Sequence, residues 1–131
     1  MISDNRSEET EAAIIAAALD YYDGWFDAEP DRMERALHRG LVKRSLANDG
    51  LTLETLTARQ MIDWTAEGVG KEEDPGERNI EIRVDHVYGA IATMTVTSAI
   101  YIDYLQLIDT PEGWKIVNVL WAPLSLEPVR L

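Results

Sequence analysis

The fold is decided by residues 101–121, YIDYLQLIDTPEGWKIVNVLW, which hold two apolar runs on either side of a short polar segment. The segment DTPEG (109–113) is rich in residues that break regular structure, so it predicts a turn between two strands. Large apolar side chains occupy both odd and even positions of the two runs, with Ile116 expected opposite Val119. Because successive side chains of a strand point to opposite faces, both faces of this part of the sheet need cover.

Two more strands are predicted before this pair. Apolar and polar residues alternate over residues 80–85, and Tyr88-Gly89 indicates a turn into a second alternating run over residues 90–98. By this alternation His86 shares a strand face with Val84, which would point it toward the core or a cavity, but it also lies next to a turn and a structural role is the favoured interpretation. The preceding segment GVGKEEDPGE (68–77) is rich in glycine and charge and is typical of an exposed loop. Residues 80–121 therefore predict consecutive antiparallel strands.

The N-terminal half has the periodicity of helices. Ser7 followed by acidic residues indicates the start of a long first helix, and Pro30 begins a short second helix that ends near residue 37. The first helix carries an apolar stripe at helical spacing, which predicts burial against a core. The stripe contains Ile14, Ile15, Ala18, Leu19, Tyr22, Trp25 and Phe26.

A hairpin and a third helix follow. Residues 41–46 have an extended pattern, and Asp49-Gly50 is a strong signal for a tight turn between two strands. Thr57 and Gln60 have the spacing of a capping box, so a third helix is predicted over residues 58–67, ending at Gly68.

The composition bounds the class of protein. A chain of 131 residues is the size of one domain, here residues 1–131 with residues 1–6 as a flexible tail. The net charge of −12 opposes binding to nucleic acid or anionic membrane. The sequence has no cysteine, no apolar leader and no run long enough to span a bilayer, and it predicts a cytoplasmic protein. Two distant histidines make a zinc site improbable, although Glu34 and His38 have helical spacing, and no cofactor is expected.

Three modest helices can cover only one face of a sheet that is apolar on both. The second face is therefore expected to be buried against another copy of the chain, which predicts a homodimer through the sheet. Strong curvature that buries both faces within one chain is the alternative.

Short segments of the sequence also resemble a known family. In order along residues 11–121, they resemble the family named "putative lumazine-binding" within the nuclear transport factor 2-like superfamily. The segments are YDGW (22–25), RALH (35–38), LVKR (41–44), GAIA (89–92), DYLQL (103–107) and WKIVNVLW (114–121). The resemblance implies an α+β, cone-shaped, cystatin-like fold, with three N-terminal helices on a curved antiparallel sheet and a cavity between the layers.

Two residues are candidates for acid–base chemistry. Asp103 lies within an apolar strand, where an ionised group is unfavourable unless it is paired, hydrogen-bonded or hydrated. His38 follows the second helix, and an imidazole can both donate and accept near neutral pH. The structural alternatives are a satisfied ion pair or a surface-facing position for Asp103, and a capping or buried hydrogen-bonding role for His38.

The aromatic residues are candidates for ligand binding. Tyr22, Trp25, Trp64 and Trp121 combine flat apolar rings with polar groups, which suits a pocket for a heteroaromatic molecule, and core packing accounts for them equally. Asn118 is the polar exception in the last strand and a candidate amide contact.

The sequence therefore predicts a protein that binds a small apolar or heteroaromatic molecule without a permanent cofactor. One alternative is a cofactor-free isomerase, cyclase or dehydratase, in which Asp103 or His38 moves a proton beside a carbonyl. A second alternative is a dimeric interaction module with a filled interior and no ligand.

Overall fold

The computed structural model describes residue 4 and residues 6–124, apart from the side chain of residue 75. The described residues form four helices and six strands. In chain order these are α1 (Glu8–Phe26), α2 (Pro30–Ala36), β1 (Leu37–Leu46), β2 (Leu53–Thr57), α3 (Ala58–Glu67), α4 (Pro75–Arg78), β3 (Glu81–Tyr88), β4 (Ile91–Thr97), β5 (Tyr101–Thr110) and β6 (Gly113–Pro123).

The six strands form one sheet in the order β2-β1-β6-β5-β4-β3. Strands β3 to β6 pair antiparallel in succession, as the sequence predicts. Strand β1 pairs antiparallel with β2 and parallel with β6, which joins the N-terminal hairpin to the main sheet. The predicted α+β class of helices on a curved sheet is confirmed, with one parallel pair and the short helix α4 as additions.

The helix ends follow from their capping residues. The hydroxyl oxygen of Ser7 accepts from the backbone N–H of Thr10 at the start of α1. At α3 the side chains of Thr57 and Gln60 each accept from the other's backbone N–H, and Gly68 ends the helix with a φ of 78°. This positive φ suits glycine, and the boundaries of α3 are those predicted.

One residue of the apolar stripe predicted for α1 is not buried. The side chain of Leu19 is more than one-third exposed.

The core lies between the helices and the concave face of the sheet. Leu105 and Leu107 of β5 point into it, while Tyr104 points to the opposite face and is 54% exposed. A bulge in β6 places Asn118 opposite Gln106 and Ile116 opposite Leu107, so that Val117 is the extra residue.

The bulges overturn two predictions of side-chain direction. Ile116 and Val119 are both buried in the core, because Val117 shifts the alternation by one position. In β3, Asp85 is the extra residue between Val84 and His86, so His86 does not follow the buried face of Val84. Counting alternate positions along these strands fails for this reason.

The predicted tail over residues 1–6 falls partly outside the described residues. Within it, the carboxylate of Asp4 accepts from the backbone N–H of Val87 at 3.2 Å, and the guanidinium of Arg6 donates to the carbonyl of Asp85 at 3.2 Å. Both contacts are to β3.

Candidate functional site

A cavity of about 660 Å³ opens between helices α1 and α3, the segment 68–78 and the concave face of the sheet. Its lining is mainly apolar and aromatic. Trp25 of α1, Trp64 of α3 and Trp121 of β6 all contribute to it. The fold therefore brings together three of the five residues that the sequence predicts to bind a ligand.

The segment 68–78 forms one wall of this cavity. The backbone N–H of Glu72 donates to the carbonyl of Phe26 at 2.9 Å, at the end of α1. Arg78 donates to Asp27 at 2.6 Å and lies 5.2 Å from the ring centre of Phe26. The segment is partly exposed, as predicted, but these contacts attach its inner side to α1.

Gly70 provides the close approach between this wall and the aromatic lining. A Cβ atom added at Gly70 would lie 1.9 Å from Nε1 of Trp25, which is far inside van der Waals contact. The indole of Trp25 therefore occupies the space that any other residue at position 70 would need.

A lysine lies within the aromatic lining. The ammonium group of Lys43 on β1 donates to the hydroxyl of Tyr21 at 2.7 Å, and both residues line the cavity. The Lys43 nitrogen lies 5.4 Å from the ring centre of Tyr21 and 5.3 Å from that of Trp121, in the range of cation–π interactions. Burial lowers the pKa of Lys43, and the negative charge of Asp103 opposes this shift.

Sequence reasoning missed Lys43 and Tyr21, although strand β1 contained a signal. Leu41 and Ser45 are both buried, and Lys43 lies between them on the same strand face. The alternation of side chains along a strand therefore places the lysine toward the core, where a charged residue requires an explanation.

Asp103 lies in a buried layer beside the cavity. Its side chain is fully buried, and Oδ2 accepts from the hydroxyl of Tyr22 at 2.6 Å. Oδ1 has no hydrogen-bond partner among the described residues. Burial raises the pKa of Asp103, while the charge of Lys43 and the hydrogen bond from Tyr22 act in the opposite direction. Neither Asp103 nor Tyr22 is among the residues that line the cavity.

The other two predicted residues lie away from the cavity. His38 is on β1, is exposed, and accepts through Nδ1 from the backbone N–H of Gly40 at 2.8 Å. Asn118 donates to Oε1 of Gln106 at 2.9 Å on the convex face of the sheet. The structure therefore does not bring His38 or Asn118 to the same place as Asp103.

Neither a metal site nor a membrane-crossing helix occurs in the described residues. No group of three or more histidine, aspartate or glutamate side chains in this part of the chain is arranged to hold a metal ion. Among the helices within residues 6–124, none combines the length and apolar character needed to cross a bilayer.

Helices packed on a curved sheet, with a cavity between them, form the nuclear transport factor 2-like, or cystatin-like, fold. The chain belongs to the family described as "Putative lumazine-binding", whose model matches residues 9–122. A search of curated proteins finds no match.

Solved structures with the same fold have little sequence identity to this chain. A nuclear transport factor 2-like protein of unknown function from Silicibacter pomeroyi has 18% identity and a TM-score of 0.75, over 91% of this chain and 99% of that one. One from Methylobacillus flagellatus has 17% identity and a TM-score of 0.71, over 95% and 100%. A structure from Streptomyces avermitilis described as a "putative dehydratase" has 13% identity and a TM-score of 0.58, over 91% and 99%. At these identities the likeness supports the fold alone.

Proposed function

We propose that the protein binds a flat, apolar or heteroaromatic small molecule in the cavity between its helices and its sheet. The observation that carries this proposal is the convergence of Trp25, Trp64 and Trp121, from three separate elements, on one cavity. The volume of about 660 Å³ lies within the range of small-molecule sites, which are usually apolar with a few polar groups. The description of the family, with lumazine as a planar heteroaromatic ligand, supports the same class of molecule.

We expect lumazine and the neutral aromatic probe 2-naphthamide to bind saturably in isothermal titration calorimetry. Replacing Trp64 with leucine should weaken both probes by about tenfold, because one stacking face is worth roughly 1 kcal/mol or more. Trp64 suits this test because it lines the cavity and is 39% exposed, so its loss should spare the fold.

The matched control is Trp114→Leu, which changes the same residue type at a position that does not line the cavity. This variant should retain the affinity for both probes. The proposal is wrong if lumazine, 2-naphthamide and the corresponding acid 2-naphthoate all fail to bind, or if the two tryptophan variants weaken binding equally.

One observation favours the alternative that the protein is an isomerase, cyclase or dehydratase. The carboxyl group of Asp103 is buried, has a raised pKa and accepts a hydrogen bond from Tyr22. Perturbed carboxyl groups are frequent at catalytic sites. However, neither Asp103 nor His38 lines the cavity, so neither is placed to contact a molecule bound there. We therefore assign binding, and not proton transfer, to this site.

We also propose that the convex face of the sheet joins two copies of the chain. Tyr104 and Leu120 are cross-strand partners on this face and are 54% and 53% exposed. Arg44 is the cross-strand partner of Leu120 on β1, and Arg83 is that of Thr95 on β3. Exposed apolar side chains at the centre of a strand face favour association with an identical surface, and these arginines reduce the repulsion expected in a chain with a net charge of −12.

Replacing Leu120 with aspartate should convert the dimer to a monomer in sedimentation velocity, because the symmetry repeats the new charge on both sides of the interface. Leu51→Asp is the matched control, since Leu51 is 87% exposed in the β1–β2 turn region. This control should remain dimeric. A wild-type protein that sediments as a monomer of 14.8 kDa at all concentrations would rule out the interface.

A further inference from the structure

We propose that Lys43 and Tyr21 form an anchor for one acidic oxygen of the ligand, so that the cavity selects aromatic molecules carrying a carboxylate or an ionised enol or imide. This inference rests on the proposed binding function and specifies the chemical class of ligand. Lys43 and Tyr21 lie among the cavity-lining residues, next to the ring of Trp121.

The hydrogen bonds of the pair leave donors unused. An ammonium group has three N–H donors, and one of those on Lys43 is used by the hydroxyl oxygen of Tyr21 at 2.7 Å. Within the described part of the chain, no carboxylate lies within 4.0 Å of the Lys43 nitrogen and no other acceptor bonds to it. The Tyr21 hydroxyl receives this bond, and its own hydrogen has no acceptor among the described residues. Two neighbouring groups therefore retain hydrogens for an oxygen atom in the cavity.

The other cations of the lining differ from Lys43. Arg78 pairs with Asp27 at 2.6 Å, and Lys71 lies 3.7 Å from Glu73. Both partners are carboxylates, so the charges of Arg78 and Lys71 are compensated by the protein. Among the cations that line the cavity in the described residues, Lys43 is the one without a carboxylate in ion-pair contact.

The surroundings of Lys43 favour an anion over a neutral ligand group. The rings of Tyr21 and Trp121 stabilise the ammonium partly, but they do not replace the hydrogen bonds that water would make. Burial lowers the pKa of Lys43 and raises the pKa of Tyr21, so the tyrosine remains a donor at neutral pH. Asp103 is the carboxyl group whose charge acts on Lys43, but it makes no hydrogen bond to the ammonium, and burial raises its pKa toward the neutral form. A ligand anion would supply the missing acceptor together with a negative charge in direct contact, and charge-assisted hydrogen bonds are about twice as strong as neutral ones.

The test compares 2-naphthoate with 2-naphthamide, which have similar shape and differ in charge, by calorimetry at pH 7. The acid should bind the wild-type protein at least about tenfold more tightly than the amide. Lys43→Met should abolish this preference while the amide affinity stays within about threefold. Tyr21→Phe should reduce the preference without abolishing it, and Lys43→Arg should retain it.

Lys115→Met is the matched control for the loss of one positive charge. Lys115 donates to the carbonyl of Arg35 at 2.6 Å and lies outside the cavity, so this variant should keep the full preference. Thermal unfolding of each variant establishes that it is folded. If Lys43→Met does not fold, calorimetry of Tyr21→Phe with the two naphthalene probes tests the anchor instead. An unchanged preference of Tyr21→Phe for the acid over the amide would then contradict the proposal.

Two outcomes would overturn the inference and leave the binding function intact. One is equal affinity of the wild-type protein for acid and amide, and the other is an undiminished preference in Lys43→Met. Failure of both naphthalene probes and of lumazine to bind would overturn the binding function as well.

Discussion

Tyr22→Phe is expected to lower the free energy of unfolding at pH 7 by about 3 kcal/mol, because it leaves a buried carboxyl group without a hydrogen bond. The Tyr22 hydroxyl donates to Oδ2 of Asp103 at 2.6 Å, and Oδ1 has no partner among the described residues. Asp103 is fully buried, so water cannot replace the lost donor without a structural change. Urea unfolding followed by circular dichroism measures the effect. Tyr88→Phe is the control, because Tyr88 is 56% exposed, and it should change the stability by less than about 0.5 kcal/mol.

The loss in Tyr22→Phe should depend on pH. Burial raises the pKa of Asp103 above 3.8, the usual value for an aspartic acid, so the folded protein favours the protonated carboxyl. The stability contributed by this group is fully present below the unfolded-state value and is lost as the pH rises through the folded-state value. The hydrogen bond from Tyr22 favours the ionised carboxylate, so its removal should have a larger effect at pH 8 than at pH 4.

Asp103→Asn separates charge from shape in this experiment. The amide keeps an oxygen acceptor for Tyr22 and does not titrate, so the stability of the variant relative to wild type should increase as the pH rises above about 4. When Tyr22→Phe is combined with Asp103→Asn, its effect should be smaller and independent of pH. A deficit for Tyr22→Phe that is the same at pH 4 and pH 8, with or without Asp103→Asn, would contradict a titrating, buried Asp103.

Local chemistry made much of the fold predictable. The capping box of Thr57 and Gln60 and the positive φ of Gly68 are set by a few neighbouring residues, so the ends of α3 follow from the sequence. The turn at Tyr88-Gly89 likewise separates two strands where predicted. Asp49-Gly50 also lies between two strands, but the connection spans residues 47–52 and is longer than the predicted two-residue turn. These signals need no knowledge of the rest of the molecule.

The bulges and the pairing of β1 with β6 depend on long-range packing and were not predicted from the sequence. The bulges at Asp85 and Val117 change which side chains face the core, and nothing in the alternating pattern marks them. The parallel pairing of β1 with β6 joins strands far apart in sequence. That pairing positions Lys43 beside Val119, and so brings a lysine into the aromatic lining of the cavity.

The candidate site shows the same division between local and long-range information. Trp25, Trp64 and Trp121 were predictable as a group because rings with polar edges suit a ligand site. Their convergence requires α1, α3 and β6 to pack together, and this follows from the fold that the family resemblance implied. The wall formed by residues 68–78 was not predictable, because its attachment to α1 depends on contacts such as the ion pair of Arg78 with Asp27.

Gly70→Ala is expected to lower the free energy of unfolding by about 2 to 3 kcal/mol, because one added methyl group overpacks the contact with Trp25. The new Cβ would lie 1.9 Å from Nε1 and 2.0 Å from Cε2 of the indole, so the ring or the wall segment must move. Gly70 has no positive φ, and the effect is therefore steric and not a consequence of backbone strain. The same displacement should weaken the binding of lumazine, because Trp25 lines the cavity.

A double-mutant cycle with Trp25→Leu tests whether this contact is the cause. When Trp25→Leu is already present, most of the destabilisation by Gly70→Ala should disappear, since the smaller side chain leaves room for the methyl group. Gly40→Ala is the matched control, because its new Cβ would meet only the ring of His38, at 3.3 Å or more, on an exposed part of β1. Equal destabilisation by Gly70→Ala with and without Trp25→Leu would show that the wall segment does not pack on Trp25. The indole would then be free to move, and residues 68–78 would not define the cavity wall.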